Sequence, residues 1–412
     1  MRHLIIGAGP AGLAAAAAIR AADPAASITL LSEEQGATYS RPLISYWLGR
    51  EIREDQLAVP ASALPEAELR TGVKVVALVP EARQLRLDTG EVLPYDRLLL
   101  ATGAVSKPLG LAGEGAENLF GLRTRDDAEG IDREIHRGAR RVAVLGGGLV
   151  GVKAAQALAA RGLETHLCVT SAFPLSRNVD SGAGSLLVGA LEDEGVRVHL
   201  GQRPAALQTH NGRVTAVVFD PPAGRLDCDL VVRGKGVLPR TELLEGFGFP
   251  VGDGVPTDTC LRTPLPDVWA AGDVALTRDV ISGEPSLHAI WPAAVEQGTL
   301  AGRNMAGAEL EYPGALAMNA VGVGGLFVVA AGLTRPDNGS CRARIDRHPN
   351  LVQYRAVVDR DGALVGVVAV GHPDQAGILV AAVRAGALSG ELPFDSLDRR
   401  LHWGRFALAG QR

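Results

Sequence analysis

Apolar positions along this chain fall in short unbroken runs, each closed by a glycine-rich turn and followed by an alanine-rich stretch. The first run, residues 4–6, ends in Gly7-Ala-Gly-Pro-Ala-Gly12 and continues through the alanines of residues 14–18 to Ile19. It predicts a buried parallel strand, a tight turn and a helix, because an unalternating apolar run suits a strand covered on both faces and alanine is the best helix former. The design recurs at residues 142–145, where Gly146-Gly-Gly-Leu-Val-Gly151 leads into an apolar helix continuing over residues 154–160. Short strands are predicted at residues 27–31, 73–79 and 84–87, with Asp88-Thr-Gly-Glu turning after the last of these. Beyond Pro313 the pattern changes to β-branched runs at residues 321–331, 351–358 and 364–370, separated by Gly, Asp and Asn. Asp359-Arg-Asp-Gly reads as a hairpin turn, and a helix over residues 375–387 is expected to cross that sheet.

The two glycine turns carry the chemistry. Gly7 and Gly146 allow a sharp turn, Gly9 and Gly148 let backbone approach a pyrophosphate, and Gly12 and Gly151 let helix pack closely on strand. Pro10 and Ala11 open the first helix, and Leu149 and Val150 open the second, each presenting its first N–H groups and positive dipole end to a phosphate. After the first helix, the run Ser27-Ile-Thr-Leu-Leu-Ser ends in Glu33, 21 residues beyond Gly12, the spacing of an acid that binds a ribose diol. Glu34 is the alternative. One chain that binds two dinucleotides is the reading, giving an α/β fold of two Rossmann-like domains and a C-terminal α+β domain. The boundaries expected are residues 1–115 with 245–312, then 116–244, then 313–395, with a tail at 396–412.

Composition narrows this little further. At 412 residues, with 47% hydrophobic and 21% charged residues, the chain reads as globular with room for several cores. A net charge of -5 and no basic cluster speak against nucleic acid. The apolar start is broken by Gly7, Gly9, Pro10 and Gly12 and does not read as a signal peptide, and no stretch reaches the roughly 20 apolar residues of a membrane span. A cytoplasmic protein is expected. Cys168, Cys228, Cys260 and Cys341 form no close pair and read as structural thiols, and the nine histidines show no metal-ligand spacing, so no metal is expected.

Arg41-Pro42 predicts a rigid turn before a helix that Ser40 or Ser45 could cap. The whole stretch Tyr39-Ser-Arg-Pro-Leu-Ile-Ser-Tyr resembles flavoproteins of the two-dinucleotide-binding class, in the branch of rubredoxin reductases, ferredoxin reductases and the flavin lobe of nitrite reductases. The resemblance implies that Arg41, Pro42 and Ser45 lie beside a flavin, that Ala101, Thr102 and Gly103 close over it, and that Arg123 meets its diphosphate. It implies that Thr257 through Gly272 and Asp273 form the second FAD motif, with Asp273 on the ribityl chain and Trp291 beside the ring or in the core. Gly236 lies in a turn resembling the one beside the nicotinamide, where Arg240 replaces an asparagine. FAD is implied for the first site and NADH for the second, with NADPH open. After the strand ending at Val169 there is neither an acid for a ribose diol nor an adjacent arginine for a 2′-phosphate, leaving Thr170, Ser171 or water.

Two departures from the resemblance stand out. Ferredoxin reductases follow the serine with a lysine where this chain has Tyr46, and disulfide reductases carry a glutamate where it has Lys153. A catalytic pair is expected in which Lys153 supplies the cation near the nicotinamide and flavin, a solvated helix lysine being the plain alternative. No cysteine precedes Cys168, so no thiol relay is expected near Arg41. The activity implied is transfer of hydride from NAD(P)H to FAD and then of electrons to a redox carrier protein or an iron–sulfur subunit. An oxidase releasing hydrogen peroxide and a redox-sensing flavoprotein are the alternatives. A homodimer or a hetero-oligomer is open, and the arginine-containing tail with Trp403 is a docking surface or a frayed end.

Overall fold

The computed structural model describes residues 1–60, 66–335, 341–348, 353–371 and 376–387, so the tail at 396–412 lies outside the described residues. The chain divides into two compact units. The first comprises Met1–Ser40, Asp55–Val105 and Val237–Leu316, and the second comprises Arg41–Glu54, Ser106–Gly236 and Ala317–Arg412. Residues 41–54, placed in the first lobe by the sequence reading, and the C-terminal sheet, read as a domain of its own, both fall in the second unit.

In the first unit a parallel sheet runs in the order Val268–Ala270, Arg97–Leu100, Arg2–Ile6, Ser27–Ser32, Glu68–Thr71. Its central strands run apolar to their carboxyl ends because both faces are covered there: Leu4, Ile5, Ile6, Leu98, Leu99 and Leu100 are all buried. The helix Pro10–Ala22 covers one face and is itself crossed by Trp291–Met305. That second helix begins at Trp291, since Pro292 is well suited to a first helical turn. The crossing is close: a Cβ on Gly298 would lie 2.2 Å from the Ala11 carbonyl oxygen, and one on Gly302 would lie 2.4 Å from that of Ala15. The strands predicted at residues 73–79 and 84–87 appear as Val75–Val79 and Gln84–Leu87, paired antiparallel.

The second unit repeats the plan. Its parallel sheet runs Val196–Leu200, Glu164–Val169, Arg141–Leu145, Leu230–Arg233, Leu119–Phe120, with helix Leu149–Ala160 following the central strand. The antiparallel C-terminal sheet runs Met318–Val323, Leu326–Gly332, Ala363–Gly371, Gln353–Arg360, Arg342–His348. The single run read at 321–331 is two strands, because Gly324 and Gly325 take positive φ and turn the chain. The hairpin at Asp359-Arg-Asp-Gly forms as expected, and Ala376–Arg384 packs on the sheet.

Short Arg41–Leu43 and Ile44–Leu48 turns make up the predicted helix after Arg41-Pro42. Neither serine caps it: Leu43 is the N-cap residue with no side-chain bond, and buried Ser45 lies inside the helix. The 3-10 turn leads directly into the helix, so the cap position falls on Leu43 rather than on either hydroxyl.

In the first unit, Asp279 ties the strand Ala275–Arg278 to the segment before the Trp291 helix. Its carboxylate accepts from His288 Nε2 at 2.9 Å and from the backbone of Ile281 at 3.0 Å and Ser282 at 2.8 Å. Burial opposes its charge, but these bonds outweigh burial and hold its pKa at about 2. A carboxyl depressed from 3.8 stabilises the fold fully above about pH 4, and that contribution is lost as pH falls through about 2. Asp279→Asn is expected to remove about 2 kcal/mol at neutral pH and to flatten the acid limb of the stability profile, as read by denaturant melts across pH.

Candidate functional site

Each glycine turn sits at the carboxyl edge of its parallel sheet, where an open α/β sheet takes its ligand. In the first unit the same edge collects Gly7 through Gly12 after the central strand, Glu33 after Ser27–Ser32, Ala101 through Gly103 after Arg97–Leu100, and Gly272 and Asp273 after Val268–Ala270. Parallel register therefore unites residues up to 266 positions apart (7 to 273). A Cβ on Gly12 would lie 2.0 Å from the Gly7 carbonyl oxygen, so only glycine lets this helix start so near the strand. A Cβ on Gly9 would meet nothing within 4 Å, leaving a bare stretch of backbone at the mouth.

The helix ends differ in a telling way. Pro10–Ala22 and Leu149–Ala160 begin at Gly9 and Gly148, with no side-chain cap. The helices Arg125–His136 and Ser181–Asp193 are capped by Thr124 and Asp180. The two helices expected to face phosphates start uncapped on glycine, and two other helices without a capping side chain, Ile44–Leu48 and Trp291–Met305, start after Leu43 and Ile290 instead.

Glu33 is not open. Arg240 Nη1 lies 2.5 Å from its Oε2, and Lys74 Nζ lies 3.3 Å from its Oε1. Burial raises its pKa, but the two cations more than reverse this and leave it lowered. Arg240 is anchored at the Ala-Thr-Gly turn: its N–H donates to the Gly103 oxygen at 2.9 Å, and Thr102 Oγ1 donates to the Arg240 oxygen at 2.8 Å. The residue read as an asparagine replacement near the nicotinamide thus contacts the acid of the first turn. Glu34 accepts from the Tyr39 hydroxyl, which leaves Glu33 as the acid at the strand end. Arg240→Ala is expected to weaken FAD binding by about threefold to tenfold through a less ordered Glu33, checked by fluorescence titration of the FAD-free protein.

Gln297 secures the aspartate turn. The Gly272 N–H donates to Gln297 Oε1 at 2.8 Å, and Gln297 Nε2 donates to Thr277 Oγ1 at 3.2 Å, all buried. The spacing of this glutamine from Trp291 gave no sign of that role. Trp291 itself is half-buried at the first position of its helix.

The second unit brings Arg41, Arg123, Ser45, Tyr46 and Lys153 together on neighbouring elements. Arg41 Nη1 donates to the Arg123 carbonyl at 3.0 Å. Lys153 Nζ stands 4.3 Å from the centroid of the Tyr46 ring, so the two departures from the resemblance meet in one cation–π contact. Arg161 donates to the Leu48 carbonyl at 3.0 Å and pairs with Asp132 at 2.8 Å, fixing the short helix that carries Tyr46. At the second glycine turn, a Cβ on Gly151 would lie 1.8 Å from the Gly146 oxygen. Gly236 accepts from Lys107 N–H at 2.9 Å.

Cys168 and Cys228 are buried, and burial pushes both thiols up to about 12, so they are inert. Among the described residues no cluster of His, Cys, Asp or Glu could hold a metal ion, and no helix is long and apolar enough to cross a membrane.

The sequence pattern of the pyridine nucleotide-disulphide oxidoreductase family matches residues 1–298. The chain belongs to that family. Like other members of the family, it is an NAD(P)H-dependent oxidoreductase. It is 33% identical over 313 residues to the ferredoxin–NAD(+) reductase component of the anthranilate 1,2-dioxygenase system of Burkholderia cepacia, covering 75% of this chain and 76% of that one. It is 28% identical over 396 residues to an NADH oxidase of Methanocaldococcus jannaschii, covering 90% of this chain and 88% of the relative. The structure of the covalent putidaredoxin reductase–putidaredoxin complex shares the fold, with a TM-score of 0.87 at 24% identity over 99% of this chain and 98% of that one. The family takes its name from disulphides, yet no cysteine stands among the first 167 residues here.

Proposed function

We propose that this chain is an FAD-bound reductase that takes hydride from NADH and passes electrons to a small redox carrier protein. The observation that carries the reading is the pair of uncapped helix starts on glycine turns, one on each parallel sheet, in a chain with no cysteine before Cys168. The first site fits FAD: the bare backbone at Gly9, the acid Glu33 for a ribose diol and the Asp273 turn lie along one sheet edge. Bound FAD would supply the redox chemistry, accepting a hydride and releasing electrons singly.

The protein's own part is binding and orientation. Gly7, Gly9, Pro10, Ala11 and Gly12 receive the diphosphate at the first helix, and Asp273, held by the Gln297 anchor of Gly272, receives the ribityl chain. Ala101, Thr102 and Gly103 close one side of the site, and Trp291 of the same unit serves the flavin; Arg41, Pro42, Ser45 and Arg123, which the resemblance assigns to the flavin, fall in the second unit. Gly146, Gly148, Leu149, Val150, Gly151 and Gly236 receive the nicotinamide dinucleotide. Lys153, steadied by the Tyr46 ring, supplies positive charge for hydride transfer.

No cysteine precedes Cys168, so this region offers no thiol that would relay electrons between a bound FAD and its acceptor. Ferredoxin reductase components among the relatives support a carrier of that kind. The M. jannaschii relative, named an NADH oxidase, supports a second reading in which oxygen is the acceptor. Anaerobic reduction of the purified yellow protein by NADH, followed by oxidised ferredoxin or rubredoxin, separates the two. Flavin reoxidation by the carrier at the turnover rate, with slow reoxidation in air, is expected. Reoxidation by air at the turnover rate and none by carriers would establish the oxidase instead.

A further inference from the structure

Arg240 stretches along the carboxyl edge of the first sheet. Its backbone is fixed beyond strand Arg97–Leu100 by the bonds to Gly103 and Thr102, and its guanidinium ends on Glu33, beyond strand Ser27–Ser32. These two strands flank the central strand Arg2–Ile6, one on each side. Neighbouring strands lie about 4.8 Å apart, so the anchor and the acid stand at strand ends roughly 10 Å from one another. Between them lies the Gly7–Gly12 turn that closes the central strand, and the arginine passes it on the way to Glu33. The asparagine that the resemblance places at this position is too short for that reach.

The guanidinium arrives with donors unused. Nη1 serves Glu33, and among the described residues Nε and Nη2 have no partner, although a guanidinium carries N–H donors on all three nitrogens. Positive charge is in excess as well. Glu33 faces two cations, Arg240 on Oε2 and Lys74 at 3.3 Å from Oε1, beside a glycine turn whose backbone is bare at Gly9. Lys74 keeps the acid paired on its own, so Arg240 can share its fork with a second anion. At 37% exposure the side chain is open to one. Arg123, the cation that the resemblance gives to the diphosphate, falls in the other unit, whereas Arg240, Glu33 and the Gly7–Gly12 turn belong to one.

We propose that Arg240 is a diphosphate ligand of bound FAD, its guanidinium resting on Glu33 with one edge and meeting the anion held at Gly7–Gly12 with the other. The proposal rests on the first glycine turn being the FAD site. It goes beyond the ordering of Glu33, because an arginine that acted through the acid alone would need neither the span past the turn nor the remaining donors. A guanidinium presents a planar fork that matches a phosphate and forms charge-assisted bonds with it. The same side chain would then tie together the two anchor points of the adenosine half, the ribose acid and the diphosphate turn.

A double-mutant cycle on FAD binding, read by fluorescence titration of the full-length protein stripped of FAD, tests the direct contact. Arg240→Ala is expected to cost about threefold or more in FAD affinity in the Glu33→Gln background too, and Arg240→Lys should recover part of that loss. Raising the salt concentration should weaken FAD binding less in Arg240→Ala than in the unmodified protein. Affinity left unchanged by Arg240→Ala in the Glu33→Gln background would overturn the proposal and confine Arg240 to ordering the acid. Tighter binding there would overturn it as well, by making the residue a plug that FAD displaces. Both results leave the first site in place. An unmodified protein that takes up no FAD, or one in which Glu33→Gln leaves FAD affinity unaltered, would instead overturn the first-site reading and the proposal with it.

Discussion

Gly151→Ala is expected to abolish reduction of the flavin by NADH at ordinary concentrations while the protein stays yellow. The added Cβ would stand 1.8 Å from the Gly146 oxygen and 3.0 Å from its carbonyl carbon. Both are backbone atoms, so no side chain can rotate away. Either the helix Leu149–Ala160 slides outward or the turn opens, and each removes the uncapped N–H groups from the position where a diphosphate would lie. A loss of more than about a hundredfold in nicotinamide affinity, roughly 2.7 kcal/mol, is anticipated. Gly7 through Gly12, Glu33 and the Asp273 turn belong to the other unit, so FAD content and reduction by dithionite should persist. Unaltered dependence of flavin reduction on NADH concentration would count against the second turn as the nicotinamide site.

Lys153→Ala should slow flavin reduction at saturating NADH by more than about tenfold, about 1.4 kcal/mol of barrier. The ammonium stands over the Tyr46 ring at 4.3 Å, a contact of about 0.5–2 kcal/mol that restrains an otherwise flexible side chain. Tyr46→Phe keeps the ring and should keep the rate, whereas Tyr46→Leu frees the lysine and should give an intermediate loss. Stopped-flow absorbance at the flavin band reads these rates directly. An unchanged rate in Lys153→Ala would return that residue to the role of an ordinary helix lysine.

Much of this molecule is legible in its sequence, and the exceptions share a cause. Apolar runs and glycine turns announce local elements, so both strand–turn–helix units, the Val75–Val79 and Gln84–Leu87 pair and the hairpin at Asp361 could be read directly. Glu33 was legible because its distance from Gly12 is set by a helix and one connection. Arg240 was not, since its contact with Glu33 spans 207 residues and depends on how the returning chain pairs with the first lobe. The short helix after Arg41 was visible, but its membership of the second unit was not, because affiliation is decided by packing such as Arg161 on Leu48 rather than by local pattern.

The interleaving of the first unit has a consequence for the order in which the protein is made. Its parallel sheet lacks an edge strand until Val268–Ala270 has been synthesised, and helix Pro10–Ala22 lacks its covering partner until Trp291–Met305 follows. Every strand of the second unit's parallel sheet, by contrast, has been synthesised by Arg233. A nascent chain therefore completes its later-numbered nucleotide sheet first and carries an unfinished N-terminal lobe through most of translation. Flavin capture thus waits for residue 305, and chains halted short of it should remain colourless.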